Sequence, residues 1–252
     1  MRSEFMRKGN IGRFLLCCLF MLLFCAGCKN DKEKELREIE NKGGSAELRT
    51  QYSKDGNVEK YTIEVYTEER IREEKYFDGE GNRNGYAVFE YDDKNLLIKC
   101  SVYDENGKMT YSNEYKYEYD ENGNVVAEYS NAGDIERINR YKYDDKNRKI
   151  YKAEDVGEGI YQEVFYTTSY FYDEEGRLCR EEIFATGSPY AYIVYEYDGL
   201  MLVKEDKYRV GDNNDSYWEG YEYEYDEKGR VVKCIEYDKS HNSTGYIIYE
   251  YR

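Results

Sequence analysis

The 252-residue chain is poor in the residues that most often carry chemistry or break strands, since it has one proline, one histidine and one tryptophan. The lone His241 stands in the turn-like stretch KSHNST with no serine or cysteine nucleophile motif beside it, which is typical of a polar turn residue. The sequence also has no glycine-rich phosphate loop, no Cys/His metal spacing and no basic patch. These absences exclude most nucleotide-dependent, zinc-dependent and nucleophilic enzymes.

Positive charge is outnumbered by negative charge. Lysine and arginine number 37 against 53 acids, for a formal net charge of −16. Such a surface repels nucleic acid, which we exclude as a partner. It remains compatible with neutral glycans, basic proteins and divalent cations.

Long apolar runs are limited to residues 14–24, FLLCCLFMLLF, which follow a basic leader and are too short to span a bilayer. The run ends in FCAGC, which resembles the lipobox of bacterial lipoproteins. The resemblance implies cleavage before Cys28, a lipid on that cysteine, and a membrane-anchored protein facing outside the cytoplasm, at the cell surface or in the periplasm. A plain secretory signal with a coincidental cysteine is the alternative.

Cysteine is sparse beyond this leader. Of seven cysteines, the three after Cys28 are Cys100, Cys179 and Cys234. An odd number so widely spread indicates small apolar side chains on strands rather than disulfides.

Three segments follow from composition. We predict a signal peptide at 1–27, the lipid-attachment cysteine with a charged linker at 28–45, and a repeat domain at 46–252. The linker is rich in lysine and glutamate, and this composition predicts a tether with a helical turn or two.

Tyrosine, by contrast, is abundant at 32 residues, and much of it lies in one repeated phrase. In YKYEYDENGNVV, from Tyr115, tyrosines alternate with charged residues, which is the period of a half-buried strand. An aspartate then starts a turn that needs a residue with positive φ, a role that glycine and asparagine fill best. The turn residues are Asp92 and Asn95, Asp120 and Gly123, Asp144 and Asn147, Asp173 and Gly176, Asp226 and Gly229, and the shorter Asp198-Gly199, which predicts a type I′ hairpin.

The aspartates recur every 24 to 29 residues, enough for two strands and two turns per unit. The sequence therefore predicts an all-β antiparallel meander of hairpins, forming an open or curled sheet. The C-terminal YIIYEYR restarts the phrase, and we expect it to be an edge strand able to pair with another chain.

The phrases at 170–178, YFYDEEGRL, and 223–231, YEYDEKGRV, resemble the tyrosine-aspartate repeat of the rearrangement-hotspot family, Tyr-x-Tyr-Asp-x-x-Gly-Arg plus an apolar residue. The resemblance covers roughly residues 86–252. It implies a continuous spiralling β-sheet, which in that family forms shells around toxins or serves in adhesion and carbohydrate contact. With longer units and only six good copies, this chain is expected to form a small sheet rather than a shell.

Two kinds of chemistry that the acids could support have simpler interpretations. The stretches from Asp120 and Asp212 place oxygen side chains at alternate positions, but both lack the glycine and the glutamate of a calcium loop, so turn chemistry explains them better. Glycoside hydrolysis needs a pair of carboxylates. Acids at every other strand position, however, are typical of a solvent-exposed face of the sheet rather than of a catalytic pair. We predict no metal and no cofactor.

Binding is the function that the sequence favours. Trp218 stands beside an Asp/Asn-rich loop, and aromatic rings flanked by polar groups suit sugars or protein partners. A buried core position is the alternative for Trp218. We expect a non-enzymatic binding or scaffold protein that contacts glycans or another envelope protein, with an inhibitor of a basic toxin and a polysaccharide-acting enzyme as alternatives. The expected ligand-binding residues are Asp212, Asn214, Tyr217, Trp218 and Tyr221.

Overall fold

A computed structural model describes residues 35–39, 41–42, 44–66, 72–132, 135–156, 166–211 and 214–252. The expected signal peptide, Cys28 and Asp212 lie outside these ranges. Sixteen strands account for most of the described chain. They are β1 (Ser45–Ser53), β2 (Val58–Tyr66), β3 (Arg72–Asp78), β4 (Arg83–Tyr91), β5 (Leu97–Asp104), β6 (Met109–Tyr119), β7 (Val125–Ala132), β8 (Ile135–Tyr143), β9 (Lys149–Val156), β10 (Tyr166–Tyr172), β11 (Leu178–Ala185), β12 (Ser188–Asp198), β13 (Met201–Arg209), β14 (Ser216–Tyr225), β15 (Val231–Tyr237) and β16 (Ser243–Tyr251).

The strands form one closed antiparallel barrel in which each pairs with its neighbours in sequence and β1 pairs with β16. The predicted all-β meander is confirmed, but the expected open or curled sheet is wrong. The expected free C-terminal edge is wrong for the same reason, since Ala46 and Arg252 exchange backbone hydrogen bonds of 2.9 and 2.8 Å. Closure satisfies the donors and acceptors that an edge strand would leave unpaired.

The turns divide the barrel into two ends. We call the end with the turns of the repeated phrase the YD end; its turns join β4 to β5, β6 to β7, β8 to β9, β10 to β11, β12 to β13 and β14 to β15. The opposite end carries the turns after β1, β3, β5, β11 and β15, among others. Chain direction alternates along the meander, so every second turn falls at the same end.

Turn residues have the positive φ that the pattern predicts, with Asn95 at 65° and Gly123 at 84°. The turn after β12 differs from the sequence prediction. Its two loop residues are Gly199 and Leu200, because Asp198 pairs with Met201. In this described turn only Gly199 has positive φ, at 60°, which is the type II′ pattern rather than type I′.

The two faces of the sheet differ in solvent exposure. On β6, Glu114, Lys116 and Glu118 are exposed, whereas Tyr115 and Tyr117 are half-buried. The strand register carries the sheltered side around the barrel, and we call it the tyrosine face. Its first tyrosines of each phrase are Tyr117, Tyr141, Tyr170, Tyr195, Tyr223 and Tyr249.

A compact apolar cluster lies where residues 35–39, which are helical, pack on β1, β2 and β3. Leu36, Leu48 and Ile63 have no exposed surface, and Lys75 of β3 pairs with Glu35. Part of the segment expected to be a linker therefore packs on the barrel. Within the described ranges, no helix has the length and apolar character of a membrane span.

Candidate functional site

The aspartate of the repeated phrase holds its own turn together. Asp226 Oδ1 accepts hydrogen bonds from the amides of Lys228 (2.9 Å) and Arg230 (3.0 Å), while Oδ2 accepts one from Arg230 Nε (2.8 Å). These donors, with the backbone amide of Arg230 foremost, lower the pKa of Asp226. The arginine four residues after the aspartate is thus fixed by two bonds to one side chain.

That arginine then links one unit to the next. The guanidinium of Arg230 lies 4.5 Å from the ring centre of Tyr251, whose hydroxyl donates to the carbonyl of Val231 at 2.8 Å. The contact recurs between Arg177 and the ring centre of Tyr197, at 5.0 Å, and the hydroxyl of Tyr197 donates a hydrogen bond to the carbonyl of Leu178, the residue after the arginine. We call this series the tyrosine-arginine ladder; other members are Arg148 with Tyr172, and the hydroxyls of Tyr143 and Tyr225 on the carbonyls of Val125 and Leu202.

The contacts of the ladder give the residues of the repeated phrase a structural role. Sequence reasoning assigned roles to the aspartate and the glycine but none to the arginine or to the second tyrosine. The signal was present, because the arginine keeps the same spacing from the aspartate in three units: Arg148, Arg177 and Arg230. The turn residues of the YD end therefore hold neighbouring hairpins together.

Trp218 lies at the opposite end, in a bulge of β14. The register with β13 shifts between Lys207 and Tyr208, so Trp218 is the extra residue of the bulged strand. Its half-buried indole lies under two cations, with Arg209 at 4.2 Å and Lys207 at 5.2 Å from the ring centre. Arg209 also lies 4.6 Å from the ring of Tyr190, so its guanidinium is held between two rings.

Trp218 and Tyr221 share a cleft of about 440 Å³, which we call the Trp218 cleft. Carboxylates, two further hydroxyls and one lysine complete its walls. Glu219 is paired with Lys207 at 2.6 Å. The other lining residues are Glu236, Tyr237, Asp238, Lys239 and Thr244. The cleft thus combines aromatic rings with several hydrogen-bond acceptors.

The remaining predicted residues stand elsewhere. Tyr217 stacks on His241, with ring centres 3.7 Å apart, and meets Tyr208 edge-on. Burial raises the pKa of Tyr217 to about 12, and Asp206 adds to the shift. Asn214 is exposed in the loop before β14 and does not line the cleft. The structure therefore brings together Trp218 and Tyr221, but not Tyr217 or Asn214.

Two acids near the cleft are shifted in opposite directions. Backbone hydrogen bonds from Asn242 and Ser240 lower the pKa of Asp238. Burial raises the pKa of Glu205, which lies opposite Tyr221 on β13; Glu181 and Glu219 add to the increase and Lys207 opposes it. Glu205 is thus the acid near this site that holds its proton more tightly than usual.

A second cleft, of about 540 Å³, lies across β15, β16 and β1. Ile235 and Ile248 line it, and the rings of Tyr52 and Tyr246 stack at 4.8 Å along its wall. Among the described residues, no three His, Cys, Asp or Glu side chains converge as a metal site would require.

Comparison with known proteins finds no matching family model and no matching curated protein. Similar solved structures include the TcdB2-TccC3-Cdc42 complex, at 14% identity and a TM-score of 0.31, over 77% of this chain and 13% of that one. The Photorhabdus luminescens Tc holotoxin pore is 16% identical with a TM-score of 0.31, over 78% of this chain and 12% of that one. A porin-like protein from Bacteroides uniformis is 12% identical with a TM-score of 0.38, over 82% and 96%. The chain thus spans about an eighth of the toxin chains it matches, and likenesses this distant carry no argument about function.

Proposed function

We propose that this chain is a lipid-anchored binding protein of the cell envelope that holds a glycan in the Trp218 cleft. The observation that carries the proposal is the placement of Trp218 and Tyr221 on one cleft with three carboxylates, Glu219, Glu236 and Asp238. Aromatic faces pack on the C–H faces of sugar rings, and carboxylates accept hydrogen bonds from sugar hydroxyls.

The indole is held in place before any ligand arrives. Arg209 and Lys207 contact the indole ring, and Lys207 is itself fixed by Glu219. A ring held in this way loses little conformational freedom on binding, which improves affinity. The cleft therefore suits a ligand that is recognised by shape and hydroxyl groups.

The location of the protein is part of the proposal. Support comes from the sequence, where the basic leader, the apolar run and FCAGC point to a lipid on Cys28. Two acyl chains give stable membrane attachment where one chain is marginal. The chain would then display the barrel outside the cytoplasm.

Binding is proposed rather than catalysis because Asp238, in the cleft, has a lowered pKa and is a poor proton donor at neutral pH. One observation favours hydrolysis of a polysaccharide as a second candidate. Glu205 has a raised pKa, which is the property of a glycosidase acid. Polysaccharide cleavage by the wild type that Glu205→Gln abolishes would establish this second function.

The binding proposal is tested by co-sedimentation of the purified full-length chain, in detergent, with isolated cell walls and insoluble polysaccharides. Trp218→Ala should weaken retention about tenfold or more, which corresponds to about 1.4 kcal/mol of binding free energy. Tyr111→Ala is the matched control, because Tyr111 is 45% exposed at the same end of the barrel and outside the cleft.

Equal retention of wild type and Trp218→Ala would contradict the glycan proposal. Retention of a basic envelope protein instead, released by high salt, would favour the inhibitor alternative, because exposed charge pairs are screened by salt.

A further inference from the structure

Exposed apolar side chains are concentrated at the YD end. Nine large apolar residues of the described chain are exposed, and three of them, Met109, Tyr111 and Val210, lie at the opposite end. The other six lie at the YD end and form what we call the apolar rim. They are Tyr66 (42% exposed), Ile98 (37%), Ile150 (38%), Phe171 (43%), Leu200 (89%) and Met201 (37%).

Part of the apolar rim forms an arc. Ile150 of β9, Phe171 of β10, and Leu200 with Met201 at the turn after β12 follow one another around the barrel. With neighbouring strands about 4.8 Å apart, the arc is about 20 Å long. Leu200 occupies a two-residue turn and has 89% of its surface exposed. Single exposed apolar residues need no explanation, but a group at one end does.

The chain before the barrel is long enough to bring its lipid to this end. Glu35 pairs with Lys75, three residues from the YD-end start of β3 at Arg72, which is a distance of about 10 Å. Cys28 precedes Glu35 by seven residues, a stretch that can span up to about 25 Å. A lipid on Cys28 can therefore reach the plane of the apolar rim.

We infer that the YD end rests on the membrane, with the apolar rim inserted among the lipid headgroups. This inference rests on the lipid attachment proposed above. Apolar side chains dipped into the boundary of headgroups and acyl chains add affinity in proportion to the area they bury. The opposite end, with the Trp218 cleft, would then face away from the membrane.

A lipid surface fits the apolar rim better than a folded partner does. The apolar residues are separated by charged turns such as 173–175, Asp-Glu-Glu, whereas a protein interface needs a continuous packed core. A fluid headgroup layer accommodates separated side chains. The acids of these turns also favour zwitterionic over anionic lipid.

The test uses the full-length chain with Trp218→Phe, which removes the single native tryptophan, and one tryptophan introduced at a chosen position. Leu200→Trp reports on the apolar rim, and Val210→Trp is the control, because Val210 is 38% exposed at the opposite end. Each protein is reconstituted into phosphatidylcholine vesicles with brominated acyl chains, which quench tryptophan on contact. Flotation of the vesicles measures membrane attachment separately.

Both proteins are expected to float, and the tryptophan at position 200 should lose about half its emission or more while that at position 210 is unaffected. Flotation without quenching at position 200, or equal quenching at both positions, would overturn the orientation while leaving the lipid attachment intact. Failure to float would overturn the attachment and the orientation together, with glycan binding still judged by co-sedimentation. Should Leu200→Trp fold poorly, Met201→Trp at the neighbouring rim position replaces it. A dimer in light scattering that Leu200→Ser dissociates, without quenching, would assign the apolar rim to a second copy of the chain.

Discussion

The two ends of the barrel share one type of turn, but the tyrosines beside these turns make different contacts at each end. Asp226 at the YD end and Asp238 at the opposite end both accept the amides two and four residues on. At the YD end, tyrosine rings lie under arginines and bond to neighbouring carbonyls. At the opposite end, rings that also lie near arginines stack on other rings, as in Tyr86 with Tyr103 at 4.7 Å and Tyr192 with Tyr208 at 4.9 Å.

The difference assigns the contacts that stabilise the fold to the YD end and the proposed ligand binding to the opposite end. Contacts of the tyrosine-arginine ladder repeat from unit to unit and consume the hydrogen-bonding groups of the rings, so little is left for a ligand. The opposite end varies between units, and Trp218 in its bulge lines a cleft together with three carboxylates. Variants that affect stability should therefore cluster at the YD end, and variants that affect binding at the other.

The largest effect on stability is expected for Tyr197→Ala. It removes a half-buried ring, the cation contact with Arg177 and a 2.9 Å bond to the carbonyl of Leu178. We expect a loss of about 2–3 kcal/mol in the free energy of unfolding. Tyr111→Ala, at the opposite end, should cost less than about 1 kcal/mol because Tyr111 is already 45% exposed. Urea denaturation measures both, and equal losses would show that the ladder adds nothing.

A smaller effect is expected for glycine turns, and it should be the same at both ends. Gly176 at the YD end and Gly56 at the opposite end have φ of 83° and 80°. Alanine there is forced into the left-handed region, at a cost of about 1–2 kcal/mol. Asn95→Gly is the control, since φ is already positive at 65° and the change should be within about 0.5 kcal/mol. A cost confined to one end would contradict a shared turn.

The smallest effect develops only in alkali and concerns the tyrosine face between the ends. Burial raises the pKa of Tyr170 and Tyr249 to about 12, above the ordinary value of about 10. The folded state therefore holds these protons more tightly than the unfolded state does. Their contribution to stability is fully present below about pH 10 and is lost as the pH rises through about 12. The urea midpoint should fall over that range, and less steeply in Tyr170→Phe; an unchanged slope would remove Tyr170 from the account.

Much of the fold could be predicted from the sequence, because alternation and turn chemistry are local. The period of two placed the strands, and positive φ at Gly123 or Asn95 follows from residue type alone. Closure could not be predicted in this way. It depends on the pairing of β1 with β16, a contact between residues about 200 positions apart that no local pattern encodes.

The grouping of the candidate residues was predicted only in part. Trp218 and Tyr221 were expected together, and the structure places both on one cleft. Tyr217 was expected to bind the same ligand. In the structure β14 has a bulge after Tyr217, and Tyr217 stacks on His241 instead. One extra residue in a strand changes which neighbours meet, and the sequence has no simple marker for it. Glu219 and Glu236 lie on two different strands, β14 and β15. Their position on the same cleft depends on the register between these strands, which the sequence does not show.

The most direct test of glycan recognition at the Trp218 cleft is the fluorescence of the single native tryptophan during titration with soluble glycan fragments from the cell wall. Stacking of a sugar on the indole should produce a saturable change in the emission of Trp218, weakened in Tyr221→Ala and unchanged in Tyr111→Ala. No change with any fragment, combined with undiminished retention of Trp218→Ala on cell walls, would contradict the account.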